Sequence, residues 1–513
     1  MSNQATETTL EYHRATNHSP ECLARNAVAL DFANKPLPYT IYTTLPPLAR
    51  PRDVPPSTMP ALDALAAPPI ADGAEYVPDL AALARLCYYA NGITKHLRRP
   101  GGVYAMRAAA CTGALFHIEL YVVCGDLPGL AAGVYHYGAH DDALRLLRAG
   151  DYRRALVEAT GDEPAVAAAP AIVVLTDTFW RNAWKYRARA YRHTYWDAGT
   201  ILANLLAVAA ATVLPTEVVL GYADAPVNGL LGVDGEREAA VALVALGRTA
   251  HAAPPAPPVA PLDLSTERLS PTEIDYPPIR AMHAASSLDT GTEAASWRGA
   301  PPPRPIQPAS GKVIPLQQDA PADLPRDPIE TIIRRRGSTR RFTHAPIALA
   351  QLATALDRAC RSVPADCTDP VGRLMSEPYL IASAVEGLAP GAYRYRQEDR
   401  ALELLRAGEF REEAGFHALD QALGADAAVS IYFLARLEPI LARFGNRGYR
   451  AAQLEAAIAA GRIYLASYAQ HFGATGLTFF DDDVTAFFGP SAAGMSVLFL
   501  VALGHKARRS VDS

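Results

Sequence analysis

Four short stretches of this chain hold the residue types that could do chemistry. RRRGSTRRF, Arg334 to Phe342, gathers several guanidinium groups beside Ser338. Arginine offers planar, paired donors that match a phosphate, and Arg336, Ser338 and Arg340 alternate along the stretch. GHKARR, with Lys506, Arg508 and Arg509, follows an apolar strand, so its charges sit at a strand end. Two cationic groups at element termini could clamp one dianion. In ACTGALFHIELYVV, the small residues Cys111, Thr112 and Gly113 would let a flat ligand approach the backbone. In WKYRARAYR, Lys185 stands next to Tyr186, and an ammonium beside a phenol would lower the phenol pKa and make a base. Each stretch also has a plainer reading: a solvated basic patch, a charged tail, a turn before a strand, a surface dipeptide.

Other chemistries find less support. His136 and His140 are four apart, but on a hairpin and without a carboxylate cluster, so no metal site is expected. The six cysteines are scattered with no Cys-x-x-Cys pair, which argues against a disulfide framework or a zinc site. Neither a Gly-x-Gly-x-x-Gly turn after a strand nor a P-loop is present.

The elements that must position these stretches occur twice. GVYHYGAHDDALRLLRAGDYRRAL from Gly133 returns as GAYRYRQEDRALELLRAGEFREEA from Gly391, 258 residues later. At the same offset Arg189 falls on Arg447, Tyr191-Arg192 on Tyr449-Arg450, and Asp197 on Glu455. A period this long is a duplicated domain rather than a solenoid. Each copy reads as an amphipathic helix, a β-rich run, a Gly-x-Tyr-x-Tyr hairpin, a strand, a long Ala/Leu-rich helix and a last strand. Strands and helices without strict alternation predict an α+β sandwich. We place domain 1 at residues 1–250, a proline-rich extended connector at 251–327, and domain 2 at 328–513. SPTEIDYPPIRAMHAASSL, inside the connector, could dock on a domain.

Composition sets the class. The chain has 513 residues, 50% hydrophobic and 20% charged, with a formal net charge of −5 and no long basic block. Nucleic acid and anionic membrane surfaces are therefore not expected partners. The longest apolar run, ILANLLAVAAATVL, is shorter than the ~20 residues a bilayer span needs and stops at Pro215. It reads as a buried helix. No secretory signal is evident at the N-terminus, and a cytoplasmic location is the expectation.

Taken together, the four stretches resemble the nitroreductase-like FMN flavoprotein superfamily, in particular its SagB/ThcOx-type dehydrogenase branch. RRRGSTRRF resembles the Arg-x-Ser-x-Arg flavin-phosphate motif, and ACTGALFHIELYVV the branch's Pro-Ser-x-Gly-Ala-Leu-Tyr-Pro-x-Glu-x-Tyr segment. WKYRARAYR resembles its Lys-Tyr-Gly-x-Arg-Gly-Tyr-Arg segment, and LEYHRATNHSPECLARN the branch's start. The resemblance implies FMN, two nitroreductase-like domains forming an intrachain pseudo-dimer, and a site built from both. It assigns Arg336, Ser338, Arg340, Lys506 and Arg508 to the phosphate, Cys111, Thr112 and Gly113 to the flavin cover, and Lys185 and Tyr186 to proton removal.

The copies differ in a complementary way. Domain 1 has no Lys or Arg from Asp53 to Ala84, and only Arg248 after its last strand. Domain 2 has Val371 opposite Gly113, and Arg443-Phe444 opposite Lys185-Tyr186. One site, and one FMN per chain, is the expectation. Cys111 stands where the branch usually has Ser, His117 where it often has Pro, and Ala188 and Ala190 in place of the usual glycines.

The implied activity is FMN-dependent dehydrogenation of a modified peptide or related natural product, of azoline-to-azole type, with oxygen or another acceptor reoxidising the flavin. Two alternatives stand beside it: an NAD(P)H-dependent nitroreductase-type enzyme, and a non-catalytic scaffold of a biosynthetic complex.

Overall fold

The apolar run before Pro215 is helical. Ala190–Ala211 forms a first central helix, and Arg447–Ala469 a second. Apolar side chains on nearly every face leave no stripe to hydrate, so both are buried almost throughout. They approach closely because of glycine. A Cβ at Gly199 would lie 2.5 Å from that of Ala457, and one at Gly461 2.5 Å from that of Ala203. At the offset of 258, Gly199 corresponds to Ala457 and Ala203 to Gly461. Each residue meets its own counterpart, as residues beside a twofold axis do. This computed structural model describes residues 3–25, 29–51, 54–68, 70, 73–99, 102–368 and 372–507.

Each half carries a seven-stranded antiparallel sheet against the central helices. In the first the strand order is Leu48–Ala49, Ala143–Ala149, Gly133–Gly138, Ile118–Cys124, Ala171–Thr178, Glu238–Leu246, Thr216–Val219. In the second it is Val313–Pro315, Ala401–Ala407, Gly391–Arg396, Glu377–Ala382, Val429–Ala435, Ser496–Gly504, Gly473–Leu477. Even the register shifts recur, at Val134/Tyr135 and Ala392/Tyr393, and at Leu175/Thr176 and Phe433/Leu434. The α+β sandwich and the intrachain pseudo-dimer are thus both present. Among the described residues no helix is long and apolar enough to cross a membrane.

The proline-rich stretch is extended only in part. It straps the first half, where Leu37 N donates to Leu269 O at 2.8 Å and Glu267 N to Ile41 O at 2.8 Å. It also supplies Val313–Pro315 to the second sheet's edge. Between these lie two helices, Pro277–Ala285 and Gly291–Trp297. The first mirrors the N-terminal helix Glu7–Ala15. Arg192 donates to His13 O and to Thr16 Oγ1. Its counterpart Arg450 donates to His283 O and to Ser286 Oγ.

Two buried ion clusters tie the halves together. Asp481 accepts from Arg189 at 2.8 Å and from Arg192 at 2.6 Å. Across the pseudo-axis, Asp224 accepts from Arg447 at 2.6 Å and from Arg450 at 2.8 Å. Each carboxylate belongs to one half and its arginines to the other. Burial alone would raise both carboxyls, but the paired guanidinium groups outweigh it and hold each at about 2.

Candidate functional site

The helix Ile329–Arg335 ends where the basic stretch begins, and the chain turns across the interface. Arg336, 7% exposed, donates from Nε to Ala108 O at 3.0 Å and from Nη2 to Arg107 O at 3.1 Å, both in the first half. The C-terminal strand end lies alongside: Phe342 bridges Lys506, and Ala507 N donates to Arg341 O at 3.1 Å. The two basic stretches, far apart in sequence, thus sit side by side. Lys506 Nζ lies 3.9 Å above the Tyr468 ring, and Ser338 Oγ is 3.5 Å from Tyr464 Oη. Arg508 lies outside the described residues, as does Val371.

A third cation enters from the other half. Lys95, in the strand Ile93–Arg99, donates from Nζ to Arg335 O at 3.0 Å and to Arg336 O. Burial, then Arg336 and Lys506, lower the Lys95 pKa to about 8. Among the described residues no carboxylate forms an ion pair with Lys95, Arg336, Arg340 or Lys506. Cations that destabilise one another without a counter-charge make a site that fits a dianion. Sequence reading missed Lys95. A usable signal existed: the chain has five lysines among 48 basic residues, and Lys95, Lys185 and Lys506 are three of them.

The small-residue loop faces this cluster from the first half. Gly113 holds φ +64°, and a Cβ there would press on Tyr186 Oη at 2.9 Å. The loop hangs on Asp197 of the first central helix. That carboxylate accepts from Thr112 N at 2.9 and 3.0 Å, from Thr112 Oγ1 at 2.8 Å and from Cys111 Sγ at 3.0 Å. Burial and then Asp197 push the Cys111 thiol pKa well up, so it is a hydrogen-bond donor rather than a thiolate. Behind the loop His117 bridges two carboxylates, with Nε2 2.7 Å from Asp197 Oδ2 and Nδ1 2.7 Å from Asp177 Oδ1. The expectation from His136 and His140 overlooked this carboxylate–histidine cluster. Its 2.7 to 3.0 Å contacts are each accounted for as hydrogen bonds.

Lys185 and Tyr186 close the helix Phe179–Tyr186. Lys185 Nζ is 5.0 Å from the Tyr186 ring centroid, and the ring meets His193 edge-on at 4.5 Å. Here the structure corrects the expected acidity. Burial raises the Tyr186 pKa, Asp197 and Cys111 add to the rise, and Arg340 opposes it only in part. Lys185, whose side chain remains exposed, moves the other way, lowered by partial desolvation and then by Arg340 and Lys35. The amine, not the phenol, is therefore the group driven toward its basic form. Next along, Arg187 adopts φ 51°, ψ −138°, while its counterpart Gly445 has φ 64°, ψ −160°. Arg187, rather than Ala188, is the residue that occupies a glycine's conformation.

The pseudo-symmetric position is different. The helix Ala61–Ala66 mirrors Ile329–Arg335, with Pro60 bridging Pro328. At that offset of 268, Pro68 and Ile70 stand in place of Arg336 and Ser338. With Leu206 and Ala210, the counterparts of Tyr464 and Tyr468, they line a cavity of about 370 Å³, in which Arg462 donates to Arg361 O at 2.6 Å and to Ser362 O.

Twin α+β halves packed about a pseudo-twofold axis, with basic side chains from both gathered at their seam, define a fused dimer of the nitroreductase class. The nitroreductase family's profile matches residues 105–248 and 333–505, and the chain belongs to that family. A solved structure of a provisionally assigned nitroreductase from Anabaena variabilis superposes with a TM-score of 0.76 at 25% identity. It covers 98% of this chain and 99% of that one. A provisionally assigned nitroreductase of Methanocaldococcus jannaschii is 25% identical over 172 residues, 32% of this chain and 84% of that protein. The trifolitoxin-processing protein TfxB of Rhizobium leguminosarum bv. trifolii is 31% identical over 152 residues. That match spans 29% of this chain and 41% of TfxB, less than half its length.

Proposed function

We propose that this chain is an FMN-dependent dehydrogenase that oxidises a modified peptide or related natural product, with azoline-to-azole oxidation as its reaction. The observation that carries the reading is the meeting of Lys95, Arg336 and Lys506, from both halves, with no carboxylate ion-paired to them among the described residues. Burying a phosphate dianion without paired donors would cost several kcal/mol. Here Lys95, Arg336, Ser338, Arg340 and Lys506 would hold it, with Arg508 two residues beyond Lys506 in sequence. The bare Cα of Gly113 lets the Tyr186 hydroxyl close up on the loop Cys111–Gly113, which would bring that phenol to the edge of the ring.

Bound there, FMN would supply a hydride acceptor at N5. Lys185, biased toward the free amine, takes the proton from the carbon next to the hydride donor. Tyr186, held protonated, orients the substrate through its hydroxyl. The similarity to a toxin-processing protein supports a natural product as substrate and a biosynthetic complex as the setting. The test is FMN uptake by the purified chain, then turnover of an azoline-containing peptide with azole formation followed by mass. A chain that takes up no FMN, or a flavin that no azoline peptide reduces, sinks the reading.

A second reading, NAD(P)H-dependent reduction of a small acceptor, draws on the nitroreductase assignments of two relatives. Rapid anaerobic bleaching of the bound flavin by NADPH would favour it.

A further inference from the structure

We propose that His117 is a positioning residue of the site, clamped between Asp177 and Asp197 so that Asp197 holds the Cys111–Thr112 loop against the ring. The inference rests on the flavin reading above. Its grounds are geometric, and the other half of the chain serves as an internal control.

In the first half a hydrogen-bonded line runs from the interior to the loop. Thr194 Oγ1 donates to Asp177, His117 joins Asp177 to Asp197, and Asp197 accepts from Cys111 and Thr112. Asp177 belongs to the strand Ala171–Thr178, while Thr194 and Asp197 belong to the first central helix. In the second half, 258 residues on, the counterparts of His117, Asp177 and Thr194 are Met375, Ala435 and Ala452. The counterpart of Asp197 is Glu455, which is one methylene longer. It takes Met375 N at 2.5 Å directly, with no histidine behind it. Both halves therefore build the same sheet and helix, and one does so without the ionic line. Replacing buried ion groups by apolar ones is often neutral or stabilising for folding. The fold does not require the clamp, and only the half that carries Gly113, Lys185 and Tyr186 keeps it.

The charge state follows from what faces His117. Asp177 comes from the strand, Asp197 and the neutral His193 from the helix, and Cys111 from the loop. Burial disfavours a charged imidazole, but the two carboxylates outweigh it and raise the His117 pKa to about 9. With pKa raised, the clamp is complete below the ordinary histidine value and is lost as pH rises through about 9. Its loss removes one positive charge behind the loop and leaves the two carboxylates facing a neutral imidazole.

The experiment uses the full chain with FMN bound, and follows flavin content and two-electron midpoint potential from pH 6 to pH 10. In the wild type an inflection is expected as the clamp opens, worth about a tenfold change in the oxidised-to-reduced ratio, or about 30 mV. The double variant His117→Met/Asp177→Ala, which installs the second half's own pair, should keep its flavin and lose the inflection. Should that variant not fold, Asp177→Asn is read instead and should move the inflection to lower pH. An inflection unchanged in a flavin-loaded variant overturns the clamp alone. A wild type that takes up no FMN overturns the flavin reading, and the clamp with it.

Discussion

The guanidinium of Arg336, from the second half of the chain, donates at 3.0 Å to the carbonyl of Ala108, from the first. That bond places Arg336 and its neighbouring cations against the loop of the other half, where Lys95 joins them. Each cation should contribute one charge-assisted contact, worth about 1.5–3 kcal/mol. Arg336→Ala, Lys506→Ala and Lys95→Met should each weaken FMN binding roughly ten- to hundredfold. Quenching of FMN fluorescence on titration reads this directly. Lys95→Met is the sharpest case, because no phosphate motif in the sequence includes it.

Flavin stoichiometry should be one per chain. Pro68 and Ile70 stand where Arg336 and Ser338 do, and offer no donor side chain to a phosphate. The absorbance of the protein saturated with FMN gives the ratio. A value of two would refute the single-site reading.

Lys185→Met should reduce turnover by about 10²–10⁴, the usual contribution of a positioned base. Tyr186→Phe keeps the ring packed on His193 and should cost less. The lowered Lys185 pKa sets the sign with pH: kcat/KM rises as pH rises through that value, and the rising limb disappears in Lys185→Met. Initial rates over a pH series with the substrate check both statements.

The twin ion clusters should fail in acid. Asp481 and Asp224 are each held at about 2, so their stabilisation is present above the ordinary carboxyl value and is lost as pH falls through about 2. Asp481→Ala leaves Arg189 and Arg192 buried without a partner, and should destabilise by about 3–5 kcal/mol near neutrality. Thermal melts from pH 7 down to pH 2 follow the loss.

Relief of strain at Arg187 should run the other way. Its φ of 51° suits glycine, and Gly445 fills the matching place. Arg187→Gly should stabilise by about 1 kcal/mol, part of the relief being offset by glycine's freedom in the unfolded chain. A melting temperature equal to or below wild type would contradict this.

Much of the architecture could be read from the repeat. The offset of 258 aligned both central helices and the hairpins, because packed elements tolerate few insertions. It failed where the offset slips. Pro68 and Ile70 answer Arg336 and Ser338 at 268, and His13 answers His283 at 270, so the connector's helix was read as a segment that could dock and not as a copy of the N-terminal helix. The site was legible as motifs but not as charges. Lys95 is one of several basic residues on its hairpin, and its place comes from a neighbour that sequence puts 241 residues away. Tyr186 and Lys185 were read as a pair, yet burial raises the phenol while the exposed amine moves down, and neither direction is written in a dipeptide.

The glycine contacts that bring Gly199 onto Ala457 and Ala203 onto Gly461 join two parts of one polypeptide. Dilution cannot separate them, so the pocket does not depend on protein concentration as one shared by two free subunits would. The covalent join also lifts a genetic constraint. In a homodimer any substitution lands on both sides at once, whereas here one cavity could lose its arginines while the other kept them.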